Sequence, residues 1–198
     1  MCRLFETIKI LDCAIYDAGF HNKRFNHSRS VLFGCLDYID LRDSIKIPPE
    51  HRCGIVKCRV VYSRDIETIE YERYNKRNIS TLKIVNCDNI DYSYKYCDRS
   101  GIDRLFDLRG GHDDIIIMKN NRITDSSFCN LVFDDGEKLV TPGKPLLKGT
   151  RRDKLLSENK IVQDEIRLND LKSFKTVHLI NAMLDLDECK VGIDSIYR

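Results

Sequence analysis

The chain has 198 residues, 42% of them hydrophobic and 32% charged, and its 33 basic side chains nearly cancel 31 acidic ones to leave a net charge of +2. That balance excludes a strong electrostatic footprint for nucleic acid or an anionic membrane, and no apolar run approaches the roughly 20 residues needed to span a bilayer. The N-terminus, "MCRLFETIKILDC", carries charges and lacks the apolar core of a signal peptide, so the expectation is a soluble cytoplasmic protein.

"LFETIKI", residues 4–10, alternates like a strand, and "CAIYDAG" after it suggests a hairpin. From Phe20 to about Asp40 the period turns helical, with Phe25, Leu32, Cys35, Leu36 and Ile39 on one stripe. Pro48-Pro49 ends that unit. Three strand-like runs follow: "GIVKCRVVYS", "IETIEYERY" and "ISTLKIV". The polar stretch "NCDNIDYS" reads as a linker between an N-terminal α+β domain, 1–88, and a C-terminal, barrel-like α+β domain, 89–198. Beyond it, Asp98 is a reasonable N-cap for a short helix carrying Ile102, Leu105 and Phe106, ended by Gly110-Gly111. "DDIIIMKNNRITDSSFCNLVFDDGEKLVTP" reads as three strands joined by turns at Asn120-Asn121 and Asp135-Gly136. "LLKGTRRDKLL" opens a helix near Gly149, and "TVHLINAML" is a buried strand that includes Asn181. Nine cysteines show no C-x-x-C and no zinc-finger spacing with histidine. They read as reduced, partly buried thiols, and no metal is expected. The fold class that results is α+β in two small domains.

Four places ask for chemistry. In "HNKRF", His21, Arg24, Phe25, Ser28 and Leu32 share the apolar face of one helix. Arg24 is thereby desolvated and needs a partner, either an internal Asp or Glu or a bound phosphate. In "LLKGTRRDKLL", Lys148, Arg151 and Arg152 crowd the positive end of a helix, unfavourable by about 0.3–1 kcal/mol each. An anion held by backbone N–H groups there would reverse the penalty, as would Asp153 and solvent. In "ITDSSFCNLVF", Asp125 follows an apolar strand and reads first as a turn residue, while Asn130 interrupts another strand; where such polar groups are buried they must be hydrogen-bonded. In "YSYKYCDRSGIDRLF", Lys95 sits between two tyrosines. A lysine, an anchoring arginine, a helix start fit for phosphate and a buried acid are together what pyridoxal phosphate requires of a protein: an amine for its aldehyde, a cationic and N–H cradle for its phosphate, and a carboxylate for its ring nitrogen.

In this order the motifs resemble the class IV aminotransferases, the fold type IV pyridoxal-phosphate enzymes. "FET", H-x-x-R-F over 21–25, Lys95 ahead of a helix, "TDSSFCNLVF" and "LLKGT" follow the family's sequence from "LFETIKI" to "LINAML", nearly the whole chain. The resemblance implies the D-amino-acid aminotransferase-like two-domain fold and a homodimer. It implies Lys95 as the lysine that carries the cofactor aldehyde and shuttles the proton. Arg24 and the backbone N–H groups of Thr150 and Arg151, after Gly149, would hold the phosphate. Asp125 would pair with the ring nitrogen, Asn181 and Ala182 would lie near phosphate and substrate, and Arg64 would meet a substrate carboxylate. "LINAML" and "KYCDR" are similar to the aminodeoxychorismate lyases within the family. They imply release of pyruvate and 4-aminobenzoate, a folate precursor. A branched-chain or D-amino-acid transaminase, or a non-catalytic relative, are the alternatives. Against the family pattern, Asp125 stands in place of Glu and Gly149-Thr150-Arg151 in place of Gly-Ile-Thr, and by the resemblance the family's first strand and the loop before "FETIK" are expected to be missing.

Overall fold

The computed structural model describes residues 2–198. The chain forms two compact units. The first runs up to Lys76 and adds Tyr94–Asp98; the second is Arg77–Ser93 with Arg99–Arg198.

The first unit contains β1 (Leu4–Leu11), β2 (Ala14–Ile15), α1 (Ala18–Phe33), α2 (Leu41–Ser44), β3 (Ile55–Tyr62) and β4 (Ile66–Arg73). They form an antiparallel sheet of order β2-β1-β3-β4. β2 is only a two-residue partner to β1. The full length of β1 pairs instead with β3, Leu4 opposite Tyr62 through to Leu11 opposite Ile55. Leu4, Ile8 and Ile10 of β1 and Val56, Cys58, Val60 and Tyr62 of β3 recur at every second position and make one core with Phe25, Leu41 and Ile45.

α1 stops at Phe33, short of the expected Asp40. Gly34 caps it at φ 70°, with its N–H bonded to carbonyls of the last turn. The buried Arg29 then folds residues 35–39 back. It donates to Asp37 O at 3.0 Å, to Asp37 Oδ2 at 2.9 Å and to Arg64 O at 2.6 Å. The expected apolar stripe is therefore broken, and Leu36 is 95% exposed.

The second unit contains β5 (Leu82–Asn86), α3 (Ser100–Asp107), β6 (Asp114–Lys119), β7 (Arg122–Ser126), β8 (Asn130–Asp134), β9 (Leu139–Pro142), α4 (Thr150–Ser157), β10 (Val162–Asp164), β11 (Thr176–Ile180), β12 (Lys190–Gly192) and β13 (Ile196–Tyr197). The strand path is β10-β9-β8-β7-β6-β5-β13, with β11 pairing β8 and β12. Asn120 and Asn121, at φ 51° and 59°, supply the left-handed pair that turns β6 into β7. A further turn over residues 127–129 divides "ITDSSFCNLVF" into β7 and β8, so Asp125 lies on β7 rather than in the turn.

The expected boundary at 88/89 falls inside the second unit, for two physical reasons. β5 pairs in parallel with β6, which draws the preceding chain to that side. The expected linker is itself packed: Ile90 and Tyr92 are buried, and the Cys87 N–H donates to Met118 O at 2.8 Å. α3 begins after Arg99, one residue later than an Asp98 cap requires.

No disulfide forms among the described residues. Among them, no helix is long and apolar enough to cross a membrane, and no group of three His, Cys, Asp or Glu could hold a metal ion.

Candidate active site

One acid of the first unit stands in a core position. Glu6 shares a face of β1 with Leu4, Ile8 and Ile10 and is completely buried. α1 supplies its partners. Arg24 donates from Nε to Glu6 Oε1 at 2.8 Å and from Nη2 to Oε2 at 2.6 Å, and His21 Nδ1 lies 2.6 Å from Oε2. Two guanidinium nitrogens on two carboxylate oxygens are the strong, bidentate form of pairing. Burial pushes the Glu6 carboxyl up, but the Arg24 charge and the hydrogen bonds from Arg24 and His21 win and hold it at about 2. His21 is pushed below its ordinary value, chiefly by burial, so a neutral ring donating Nδ1–H to Glu6 fits. Glu6 is thus the internal partner that the desolvated Arg24 requires. Two of the five guanidinium donors serve it, and the Arg24 side chain keeps 15% exposure.

Lys95 is fixed along the edge of β1. The Phe5 N–H donates to Lys95 O at 3.0 Å, the Cys97 N–H donates to Arg3 O at 2.8 Å, and Tyr96 bridges Leu4. Its half-buried side chain places Nζ 4.6 Å from the centroid of the Phe5 ring. Arg59, on β3, brings its Cζ to 4.9 Å from the same centroid. Arg64, expected to meet a substrate carboxylate, lies exposed in the turn past the end of β3, where its carbonyl holds Arg29. The structure brings Arg59, not Arg64, to the ring that Lys95 shares. The reason is strand phase: Arg59 pairs opposite Thr7 on β1, whereas Arg64 lies beyond the sheet register.

In the second unit Asp125 lies on β7, 5% exposed. Its Oδ1 accepts from Asn130 Nδ2 at 2.7 Å and its Oδ2 accepts from the Leu147 N–H at 2.9 Å. Burial raises the carboxyl to about 6, and the amide donors of Leu147, Asn130 and Leu146 and the charge of Arg152 offset only part of that rise. Asn130 also donates to Leu147 O at 2.8 Å, so one side chain aligns the acid and the segment leading into α4. Gly149 is required there by space, since a Cβ would stand 2.0 Å from Asn130 Oδ1.

α4 starts at Thr150, and no side chain caps it. Its first N–H groups have no acceptor within the helix. The expected crowding of cations at this end is relieved internally. Arg151 Nη1 pairs with Asp185 Oδ1 at 2.8 Å, and Arg152 is folded onto β9 and β10, donating to Pro142 O at 3.0 Å and to Gln163 Oε1 at 3.1 Å.

Asn181 falls just past the end of β11, outside the strand. Its Oδ1 accepts from the N–H groups of Met183 (2.8 Å) and Leu184 (3.0 Å), and its Nδ2 donates to Cys129 Sγ at 3.1 Å and Phe128 O at 3.4 Å. Ala182 is half-buried inside the same turn. The side chain of Asn181 therefore shapes the turn and ties it to the segment between β7 and β8.

A family model described as amino-transferase class IV matches residues 3–187. The chain belongs to the class IV aminotransferases. A Haemophilus influenzae (strain Rd) protein of unassigned function is 38% identical over 185 residues, 92% of this chain and 98% of that protein. The crystal structure of a candidate 4-amino-4-deoxychorismate lyase from Haemophilus somnus 129pt is 35% identical, covers 94% of this chain and 98% of its own, and superposes with a TM-score of 0.88. The branched-chain amino acid aminotransferase from Escherichia coli shares the fold at 17% identity and TM-score 0.71, over 98% of this chain and 76% of its own. The fold is the fold type IV aminotransferase fold, as the motifs implied. Two contacts were not assigned from the sequence: Glu6 as the partner of Arg24, and Arg59 beside the Phe5 ring. For Glu6 there was a signal: an acid in the core phase of an alternating strand, facing a helix with a desolvated arginine.

Proposed function

We propose that this class IV aminotransferase binds pyridoxal 5′-phosphate and acts as a 4-amino-4-deoxychorismate lyase, releasing pyruvate and 4-aminobenzoate. The observation that carries the cofactor is Asp125. It is a buried carboxylate whose contacts are amide donors, and its carboxyl is raised to about 6. A protonated ring nitrogen against it would supply the positive charge that stabilises the ionised form. Arg24, held by Glu6, and the N–H groups at the start of α4 after Gly149 are suited to phosphate. The residues present therefore fit the group. The lyase assignment rests on the likeness to the Haemophilus somnus protein and on the "LINAML" and "KYCDR" motifs.

When bound, the cofactor supplies an aldehyde for the substrate amine and a ring that takes up electrons. Lys95 would hold the cofactor's aldehyde and, as a free amine, would take the proton from the substrate carbon that bears nitrogen. Loss of that proton lets the ether C–O bond break. The leaving oxygen carries the pyruvate skeleton away and the substrate ring becomes aromatic. The two products hold every atom of the substrate, so no oxidant or second substrate is needed. Arg59 takes the role expected of Arg64 and orients a substrate carboxylate.

The test is to supply 4-amino-4-deoxychorismate with pyridoxal phosphate and to follow 4-aminobenzoate and pyruvate together. Both are expected in equal amounts, and Lys95→Ala is expected to lower the rate on the order of 10³-fold. An unchanged rate in that variant would overturn the role of Lys95. Transfer of the amino group to a 2-oxo acid with no pyruvate formed would replace the lyase by a transaminase.

A further inference from the structure

Asp114 opens β6 and is fully buried. Nothing in the chemistry of Lys95 and Asp125 calls for it. Neither of its oxygens receives a hydrogen bond of ordinary geometry. A buried acid in that state is costly, so it needs a reason to be there.

The reason lies in the turn that follows Asp125. β7 is laddered to β6, and β8 is laddered to β11 from Asn130 through to Asp134. β7 and β8 share a single pair, Asp125 opposite Asn130. No ladder between them therefore fixes how Asn130 meets Asp125, and the turn over residues 126–129 must do so. Its carbonyls are occupied. Ser127 O accepts from Arg99 Nη2 at 2.7 Å, Phe128 O accepts from Asn181 Nδ2 at 3.4 Å, and Cys129 O accepts from the Ser126 N–H at 2.9 Å. Ser126 Oγ accepts the N–H groups of Cys129 at 3.0 Å and Phe128 at 3.3 Å.

With both lone pairs used, the Ser126 hydroxyl has its hydrogen left to give. The hydroxyl and N–H of Ser127 are two more donors of the same turn. All of these act on Asp114. Burial pushes its carboxyl up, and the Ser127 hydroxyl, the Ile115 N–H, the Ser126 hydroxyl and the Ser127 N–H offset only part of that rise. We propose that Asp114 is a positioning residue of the candidate site. It gathers the donors of Ser126 and Ser127, fixes the 126–129 turn, and so holds Asn130 against Asp125. Its bearing on the cofactor rests on the proposed role of Asp125; its hold on the geometry of Asp125 does not.

The experiment is a pH titration of the cofactor-free full chain, labelled with ¹³C at the aspartate side-chain carboxyls. The Asp125 signal is assigned by its loss in Asp125→Asn and is expected to titrate near 6. Asp114→Asn keeps the shape but presents N–H groups to a turn that offers donors. The turn should shift and loosen the bond from Asn130, and the Asp125 titration should rise by about one pH unit, the size of one hydrogen bond to a charged group. Ser126→Ala breaks the same link from the other side. It should move the Asp125 titration in the same direction, and it decides the matter should Asp114→Asn not fold. The double variant should rise no further than the larger single change. An Asp114 that acted only through its charge would have the opposite sign, because its removal would lower the Asp125 titration. An unmoved or lowered Asp125 titration in the folded variants would overturn the proposal. A raised titration in a protein that never binds pyridoxal phosphate would uphold it and remove the cofactor reading instead.

Discussion

Glu6 of the first unit and Asp125 of the second are each buried in a β-strand, and the two meet opposite fates. Glu6 faces a helix that brings a bidentate guanidinium and a ring N–H, and its carboxyl is held at about 2. Asp125 faces an amide side chain and a backbone N–H, and its carboxyl rises to about 6. Burial is common to both, so the difference lies in whether a cation of the chain itself touches the acid. Glu6 is already answered by Arg24 and holds that guanidinium in place. Asp125 is held in place without a contacting cation, which is the condition for pairing with a ligand's positive charge.

The comparison breaks most visibly at Glu6. Glu6→Gln removes the charge that compensates Arg24 and should cost about 3 kcal/mol in urea unfolding, since breaking a buried pair strands the other partner. Removing both charges, as in Glu6→Gln with Arg24→Gln, should recover part of the loss. If the single change cost no more than the double, the ion pair would not be the holding force.

pH separates the two acids by sign. The Glu6 carboxyl is lower in the fold than its ordinary 4.5, so its contribution is full above about 4.5 and lost as pH falls toward about 2. The Asp125 carboxyl is higher in the fold than its ordinary 3.8. Its contribution is therefore greatest below 3.8 and is lost as pH rises through about 6. Across that window cofactor-free protein should lose roughly 2–3 kcal/mol from this group. In Asp125→Asn the slope between those pH values should flatten, and with pyridoxal phosphate bound it should shrink. An unchanged slope in the variant would remove Asp125 as its source.

Gly149→Ala drives a Cβ to within 2.0 Å of Asn130 Oδ1. A loss of about 1–3 kcal/mol is expected from overpacking, with weaker phosphate binding because Asn130 also aligns Asp125 and Leu147. Asn181→Ala removes the side-chain acceptor of the Met183 N–H, while the Leu184 N–H keeps the carbonyl of residue 181 at 3.1 Å. It should cost about 1–2 kcal/mol in thermal or urea unfolding, with a smaller effect on cofactor affinity than Gly149→Ala. A larger effect on affinity would mean that Asn181 contacts the cofactor directly.

The elements that the sequence reveals best are those specified locally. The alternation of "LFETIKI" and the asparagine pair between β6 and β7 each act through neighbours in the chain, and each is found where it was expected. What escapes is set by distant partners. α1 ends at Gly34 because Arg29 reaches Asp37 and the carbonyl of Arg64. The stretch 86–93 reads as a linker because it is polar, yet the β5–β6 pairing packs it. The site divides the same way. Motif order marks Lys95, Arg24, Asp125 and Gly149 as candidates, whereas the place of Arg59 beside the Phe5 ring depends on the register of β3 against β1 and on the return of Lys95 to that strand's edge.

The most direct measurement is the visible absorbance of the purified protein with pyridoxal phosphate, before and after borohydride, followed by peptide mapping. A yellow band that borohydride erases, with the cofactor then fixed covalently to the peptide containing Lys95, is the predicted result. A protein that stays colourless with excess pyridoxal phosphate, or one whose cofactor is fixed at another lysine, would contradict the account.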